Sequence, residues 1–195
     1  MPYGQPVTKL IRARFSCRSY LGKPIEPKQQ QLLGDFMAAD GPGPFGTRPR
    51  YMLAAASEQD RKALKGLGTY GIIKGATGFV IGAVEDGAGN LEDFGYQMER
   101  IILYATDLGL GTCWLGGTFT KSRFAKKISA TKAESVPAVT AVGYIATGRS
   151  MQDALSRQVA GSDHRLPWER LFFDGELGRP LSREAAGAFA EPLEL

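Results

Sequence analysis

The stretch that most constrains this chain runs from residue 91 to 117. Phe94, Met98, Ile101, Ile102, Ala105 and Leu108 recur at helical spacing and lay one apolar stripe along a helix over 91–108. Ile102, Leu103 and Tyr104 widen the stripe, so the helix needs cover around much of its circumference and belongs at the centre of the fold. Asn90 is placed to cap it, Glu92 and Asp93 suit its positive end, and Gly109 supplies the stop. Residues 111–115 then read as a short strand bracketed by glycines. Residues 79–84 form an apolar run too short for a helix, which predicts a strand buried on both faces. A doubly buried strand needs a layer on each side, so the chain reads as an α+β or α/β sandwich.

The remaining pattern agrees. Val7, Leu10, Ile11 and Phe15 predict a short helix after Pro6, residues 14–20 an extended segment, and Pro27 the start of a helix reaching about residue 39. Residues 40–50 are rich in Pro and Gly and read as loop, 51–56 as a strand, 57–65 as a helix and 66–75 as loop. A helix over 120–128 and a strand over 136–145 follow, then a more polar helical remainder ending at 182–190.

Charge and cysteine content disfavour several classes. The formal net charge of +4 is scattered, without the blocks of like charge that nucleic-acid partners attract. No apolar stretch approaches the ~20 residues that span a bilayer, so no membrane partner is expected. No signal peptide is evident at residues 1–9, and two cysteines make no disulfide framework, so a cytoplasmic location is expected.

Glycine is in excess, 25 of 195 residues, about 13% against an ordinary ~7%. Gly41, Gly43 and Gly46, and again Gly66, Gly68 and Gly71, match a dinucleotide-binding spacing. Both sets follow helix-like rather than strand-like segments, and Pro42 and Pro44 remove N–H donors from the first, so both read as loops. Gly116 and Gly117 differ. They follow the 111–115 strand and leave two backbone amides unshielded, able to meet a flat ring or an anion, although a helix stop followed by a buried strand satisfies the same pattern.

In the extended segment, Arg14, Ser16 and Arg18 share a face while Phe15 and Cys17 turn away. Two guanidiniums around a hydroxyl suit a phosphate or polyol, though spacing alone favours a solvated basic edge with an inward Phe15. Cys113 reads as a buried inert thiol, and His164, the chain's one histidine, as a surface residue without metal-ligand partners. With no acid–base pair in view, no catalytic side chain and no metal site are expected; any chemistry would be a cofactor's.

Taken in order, these segments resemble the nitroreductase family of flavin enzymes, most of all the branch typified by a Thermotoga nitroreductase. The likeness is carried by Arg14-Phe-Ser16-Cys-Arg18-Ser-Tyr20, by Asp93-Phe-Gly-Tyr-Gln-Met-Glu99 leading into Leu108-Gly-Leu-Gly-Thr-Cys-Trp-Leu-Gly-Gly117, by Val136-Pro-Ala-Val-Thr-Ala-Val-Gly-Tyr144, and by Arg165-Leu-Pro167. The resemblance implies an α+β sandwich, a single nitroreductase-like domain over 1–195 whose central mixed or antiparallel sheet is flanked by helices. It implies FMN, with Arg14, Ser16 and Arg18 at its phosphate, ribityl chain or pyrimidine edge. Leu115, Gly116 and Gly117 would lie beside the ring and Arg165 at the phosphate. The implied activity is hydride transfer from NAD(P)H through bound FMN to a small-molecule acceptor, a nitroaromatic or quinone. Trp114, Phe119 and Phe45 are the aromatic candidates for the acceptor side.

Three departures accompany the likeness. Gly46-Thr-Arg-Pro-Arg50 stands where the family carries an Asn-x-Gln-Pro-Trp-like stretch. Asp163 stands where a lysine often precedes the arginine matching Arg165, leaving Arg157 or Arg149 to share the phosphate's charge. The branch continues beyond a segment like 185–195 into a second half that stands in for a dimer partner. The expectation is therefore a homodimer, or an internal pseudo-dimer in a longer chain. The alternative to an enzyme is a non-catalytic flavin- or nucleotide-binding module on the same scaffold, and a third reading is an interaction protein with no cofactor.

Overall fold

The apolar run at 79–84 is the middle of strand β2, Gly78–Glu85, in a computed structural model that describes residues 3–39, 41–57, 60, 62–146 and 166–195. Seven of the eight residues of β2 are buried, which only a strand covered on both faces can show. It pairs antiparallel with β1 (Arg50–Ala55) on one side and β5 (Val139–Gly143) on the other, and β5 pairs antiparallel with β3 (Gly111–Leu115). The order is β1-β2-β5-β3, with the two-residue β4, Glu134–Ser135, added to the end of β2. The predicted α+β class holds, and among the described residues every strand pairing is antiparallel rather than mixed.

Strand alternation sorts the core into two layers. Phe79, Ile81, Ala141, Cys113 and Leu115 face α4 (Lys121–Lys127), whose Phe124 is wholly buried with its ring edge-on to Phe79. Val80, Val84 and Val142 face α2 (Pro27–Ala38) and α3 (Asn90–Asp107). On α3, Phe94, Met98, Ile101, Ile102 and Ala105 are buried as the stripe predicts, the side chains larger than Ala105 contributing about 1.5–3 kcal/mol each. Gly82 lets this layer close: a Cβ there would sit 2.5 Å from the rings of both Phe94 and Tyr51.

The ends of α3 show where local chemistry redirected the chain. Gly89, at φ 71°, is the N-cap, and Asn90 lies inside the helix with its Nδ2 donating to the Glu85 carbonyl at 2.8 Å, so Asn90 is not the cap. Gly109 stops the helix as expected: at φ 76° it lets Leu110 N donate back to the Ala105 carbonyl at 2.9 Å.

Three expected elements are corrected. Among the described residues of 57–65 no helix forms. Ser57 Oγ accepts from the Asp60 amide and Asp60 Oδ1 from the Lys62 amide, a side-chain-closed turn that Gly66, at φ 85°, carries into loop. The strand expected over 136–145 is confined to 139–143, where Pro137 ahead of it has no N–H for the ladder. Phe15 lies beyond the first helix, α1 (Val7–Ala13), and is 39% exposed, so it does not extend that helix's apolar face.

The chain divides into two compact units, Met1–Gly148 and Arg149–Leu195. In the described part of the second, Trp168 packs at a tilt against Phe172, takes the Arg183 guanidinium 4.6 Å over its ring, and donates its indole N–H to the Leu181 carbonyl. The helix expected at 182–190 is broken at Gly187 into Arg183–Ala186, capped by Ser182, and Ala190–Glu194. Among the described residues no helix is long and apolar enough to cross a membrane.

Candidate functional site

Arg14 ends α1 in an extended conformation, and the chain then runs alongside β3: Ser16 bridges Thr112 in parallel, and the Cys17 amide donates to the Thr112 carbonyl at 2.8 Å. Further on, Lys74 N donates to Arg18 O, Tyr20 N to Lys74 O and Leu21 N to Tyr144 O, each at 2.9 Å. The segment is thus sewn to β3, to the 74–75 turn and to the end of β5. That turn requires glycine: Gly75 has φ 71°, and a Cβ there would lie 2.4 Å from the Tyr20 carbonyl oxygen. The predicted alternation appears at Cys17 but not at Phe15, which is 39% exposed. Cys17 is 2% exposed in the core, whereas Arg14, Ser16 and Arg18 are half-buried, reachable yet held.

Arg14 carries an arrangement that sequence spacing did not disclose. Its Nε lies 3.1 Å from Glu99 Oε1, and Glu99 Oε2 accepts the Trp114 indole N–H at 2.8 Å. One carboxylate on α3 therefore joins the end of α1 to β3. The signal in the sequence was slight: an acidic residue closing the quoted Asp93–Glu99 stretch.

At the other end of β3, Leu115 is 3% exposed and packs into the core with Phe119 and Phe124. Gly116 and Gly117 are exposed, neither adopts a left-handed φ, and a Cβ on either would meet nothing within 4 Å among the described residues. Neither backbone angle nor internal space explains glycine there. Bare amides on such a surface can be approached to backbone distance by a ligand. From the level of Thr112 to Gly116 the strand advances roughly 13 Å. The Ser16 bridge and the bare amides therefore lie near opposite ends of β3.

The aromatic candidates separate. Phe119 is buried edge-on to Phe124, with centroids 5.4 Å apart, so it lines no acceptor site; Trp114 is half-buried and Phe45 is 67% exposed. Tyr20 is structural as well. Burial, reinforced by Cys17 and Cys113, drives its phenol far above the ordinary value, and it donates to the Ala141 carbonyl at 3.2 Å as a neutral group. Both cysteines are buried thiols, as expected for Cys113. Among the described residues no cluster of His, Cys, Asp and Glu could hold a metal. Arg165, Arg149, Arg157, Asp163 and His164 lie outside the described residues.

The 46–50 departure serves the scaffold. Asp93, fully buried on α3, accepts from Phe45 N (2.8 Å), Thr47 N (2.8 Å) and Thr47 Oγ1 (2.7 Å). Burial works to raise its pKa, but these three donors prevail and hold it below the ordinary value. Arg50 donates to both oxygens of Glu134 and to the Ile128 and Ser129 carbonyls. That pairing, helped by the Thr131 amide, outweighs burial and draws the Glu134 carboxyl down to about 2.

The fold has known relatives. A nitroreductase family protein from Clostridium difficile 630 superposes with a TM-score of 0.62 at 16% identity, over 89% of this chain and 100% of its own. The NADPH:FMN oxidoreductase of Vibrio harveyi, solved with NAD+, gives 0.64 at 15% identity, over 97% and 85%. A nitroreductase with bound FMN from Bacteroides fragilis gives 0.57 at 21%, over 75% and 92%. At these identities the likeness is one of fold. Among curated protein sequences no relative matches. The sequence itself goes further: residues 6–169 match the family model described as "Putative TM nitroreductase". That span takes in the Arg14–Arg18 segment, the Glu99 link and the bare Gly116–Gly117 turn, and by it the chain belongs to the nitroreductase family.

Proposed function

We propose that the protein is an FMN-dependent oxidoreductase that passes hydride from NAD(P)H to a small acceptor of the nitroaromatic or quinone class. The observation that carries this reading is the Gly116–Gly117 turn, exposed and without internal cause for glycine, at one end of a strand whose other end holds Arg14 and Ser16. Family membership and neighbours that carry FMN in their names support it. FMN, when bound, supplies the hydride and electron chemistry. The chain's residues do the rest. Arg14 and Arg18 neutralise an anion, Ser16 offers a hydroxyl to the phosphate or polyol, and the amides of Gly116 and Gly117 meet the edge of a ring that gains negative charge. Leu115, anchored in the core, fixes the strand end that presents them. Arg165 is the proposed further phosphate contact.

We also place a second copy of the chain at the site, as a homodimer. Phe45, Leu91 and Tyr96, exposed on α3 and the loop beside it, give such a copy an apolar surface.

The purified protein, loaded with FMN, should show flavin absorbance that bleaches on adding NADPH without air and returns with a quinone. Failure to retain FMN after reconstitution refutes the reading. Retention without bleaching by NADH or NADPH would leave a flavin-binding module in its place. Sedimentation at the mass of one chain would refute the homodimer.

A further inference from the structure

We propose that Glu99 is a positioning residue of this cleft: it fixes the Arg14 guanidinium and ties it to the strand that ends at Gly116 and Gly117. The inference rests on the flavin reading above and extends it to a residue outside the cleft's cations and amides.

The chemistry is initially unexpected. A carboxylate next to a cation that must hold an anion subtracts charge from it, so attraction alone argues against Glu99. Its geometry argues for orientation instead. Oε1 takes Arg14 through Nε, the one ionic contact Arg14 makes among the described residues. Among the described residues nothing pairs with the two terminal nitrogens, at the far edge of the planar guanidinium, which leaves them to an incoming anion. Oε2 is held in turn by the Trp114 indole, so the carboxylate itself has little freedom. Arginine carries one of the largest rotamer entropies of any side chain, and with its side chain 31% exposed Arg14 would otherwise sample many of those states. A guanidinium already oriented before the ligand arrives gives up less on binding. Trp114 lies two residues ahead of Gly116, so the same carboxylate sets the anionic and the planar ends of the site in register.

The test is a double-mutant cycle on FMN affinity, read by quenching of flavin fluorescence, with Glu99→Ala, Arg14→Ala and the pair together. Glu99→Ala should weaken FMN about tenfold, Arg14→Ala at least as much, and the double variant no more than Arg14→Ala alone, because Glu99 acts through Arg14. Glu99→Gln, which presents one acceptor where two are used, should fall with Glu99→Ala and carries the same cycle if the alanine variant does not fold. Unchanged or tighter FMN binding by Glu99→Ala overturns the proposal. So does a double variant whose losses multiply, the signature of a brace between α3 and β3 that does not act through Arg14. Wild-type protein that binds no FMN overturns the flavin reading itself, and that control is read first.

Discussion

Replacing Gly116 and Gly117 together by alanine should separate folding from binding. Neither residue uses a left-handed φ, and neither Cβ would touch a described atom within 4 Å, so alanine fits without strain. At such sites alanine removes freedom from the unfolded chain and stabilises by about 0.4–1 kcal/mol each. Two such changes should raise the melting temperature of the ligand-free protein by about 2–8 °C. The methyl groups would stand where a flavin ring approaches the backbone, and forcing atoms into a close contact costs about 1–3 kcal/mol. That is roughly 5- to 150-fold in FMN affinity. Circular-dichroism melts of the ligand-free protein measure the first quantity, and flavin fluorescence titration the second. A lower melting temperature would show that the fold needs glycine there. A more stable protein with unaltered FMN affinity would show that these amides do not meet the ring.

Glu134→Gln should lower the melting temperature at pH 7 and match the wild type near pH 2. The folded pKa of about 2 lies below the ordinary 4.5, so this carboxylate's contribution is complete above about pH 4.5 and drains away as pH falls towards 2. Such a shift caps the effect at ~3 kcal/mol, and with Arg50 45% exposed solvent screening reduces it to about 1–2 kcal/mol, or roughly 3–6 °C; a gap that persists unchanged at pH 2 would contradict the assignment. Asp93→Ala strips three donors of their acceptor, so the 43–47 loop should open and chymotrypsin should cut after Phe45 faster than in the wild type. An unchanged cleavage rate would mean that the loop is held by something other than Asp93.

What could be read beforehand was what local chemistry decides. The α3 stripe, its Gly109 stop and the β3 strand depend on periodicity and on one residue's backbone freedom, and all three are where the spacing puts them. The inward turn of Cys17 was also legible, because alternation along an extended segment needs no partner to be known. The failures are competitions between local options. At 57–65 a helical pattern lost to Ser57 and Asp60, whose oxygens close a turn before a helix can begin. At the head of α3, Gly89 took the cap from Asn90 because the chain enters in a left-handed conformation. The Glu99 link and the Lys74 turn were invisible for another reason. Their partners are remote in sequence, and a lone glutamate on a helix reads the same whether it meets water or Arg14. The 46–50 segment was recognised as different, but its attachment to Asp93 and Glu134 appears only once loop, helix and hairpin are side by side.

The strand order has a consequence for how the chain is made. β5 lies between β2 and β3, so the last long strand of the sheet to be synthesised is its interior one. On the ribosome, β2 must wait for its second neighbour through the synthesis of α3, β3 and α4, roughly 3–10 s at ordinary elongation rates. During that interval β2 and β3 each carry an unpaired, largely apolar edge, the condition that invites pairing between chains. Aggregation of nascent chains should therefore peak for those stalled before residue 139 and fall once β5 has emerged.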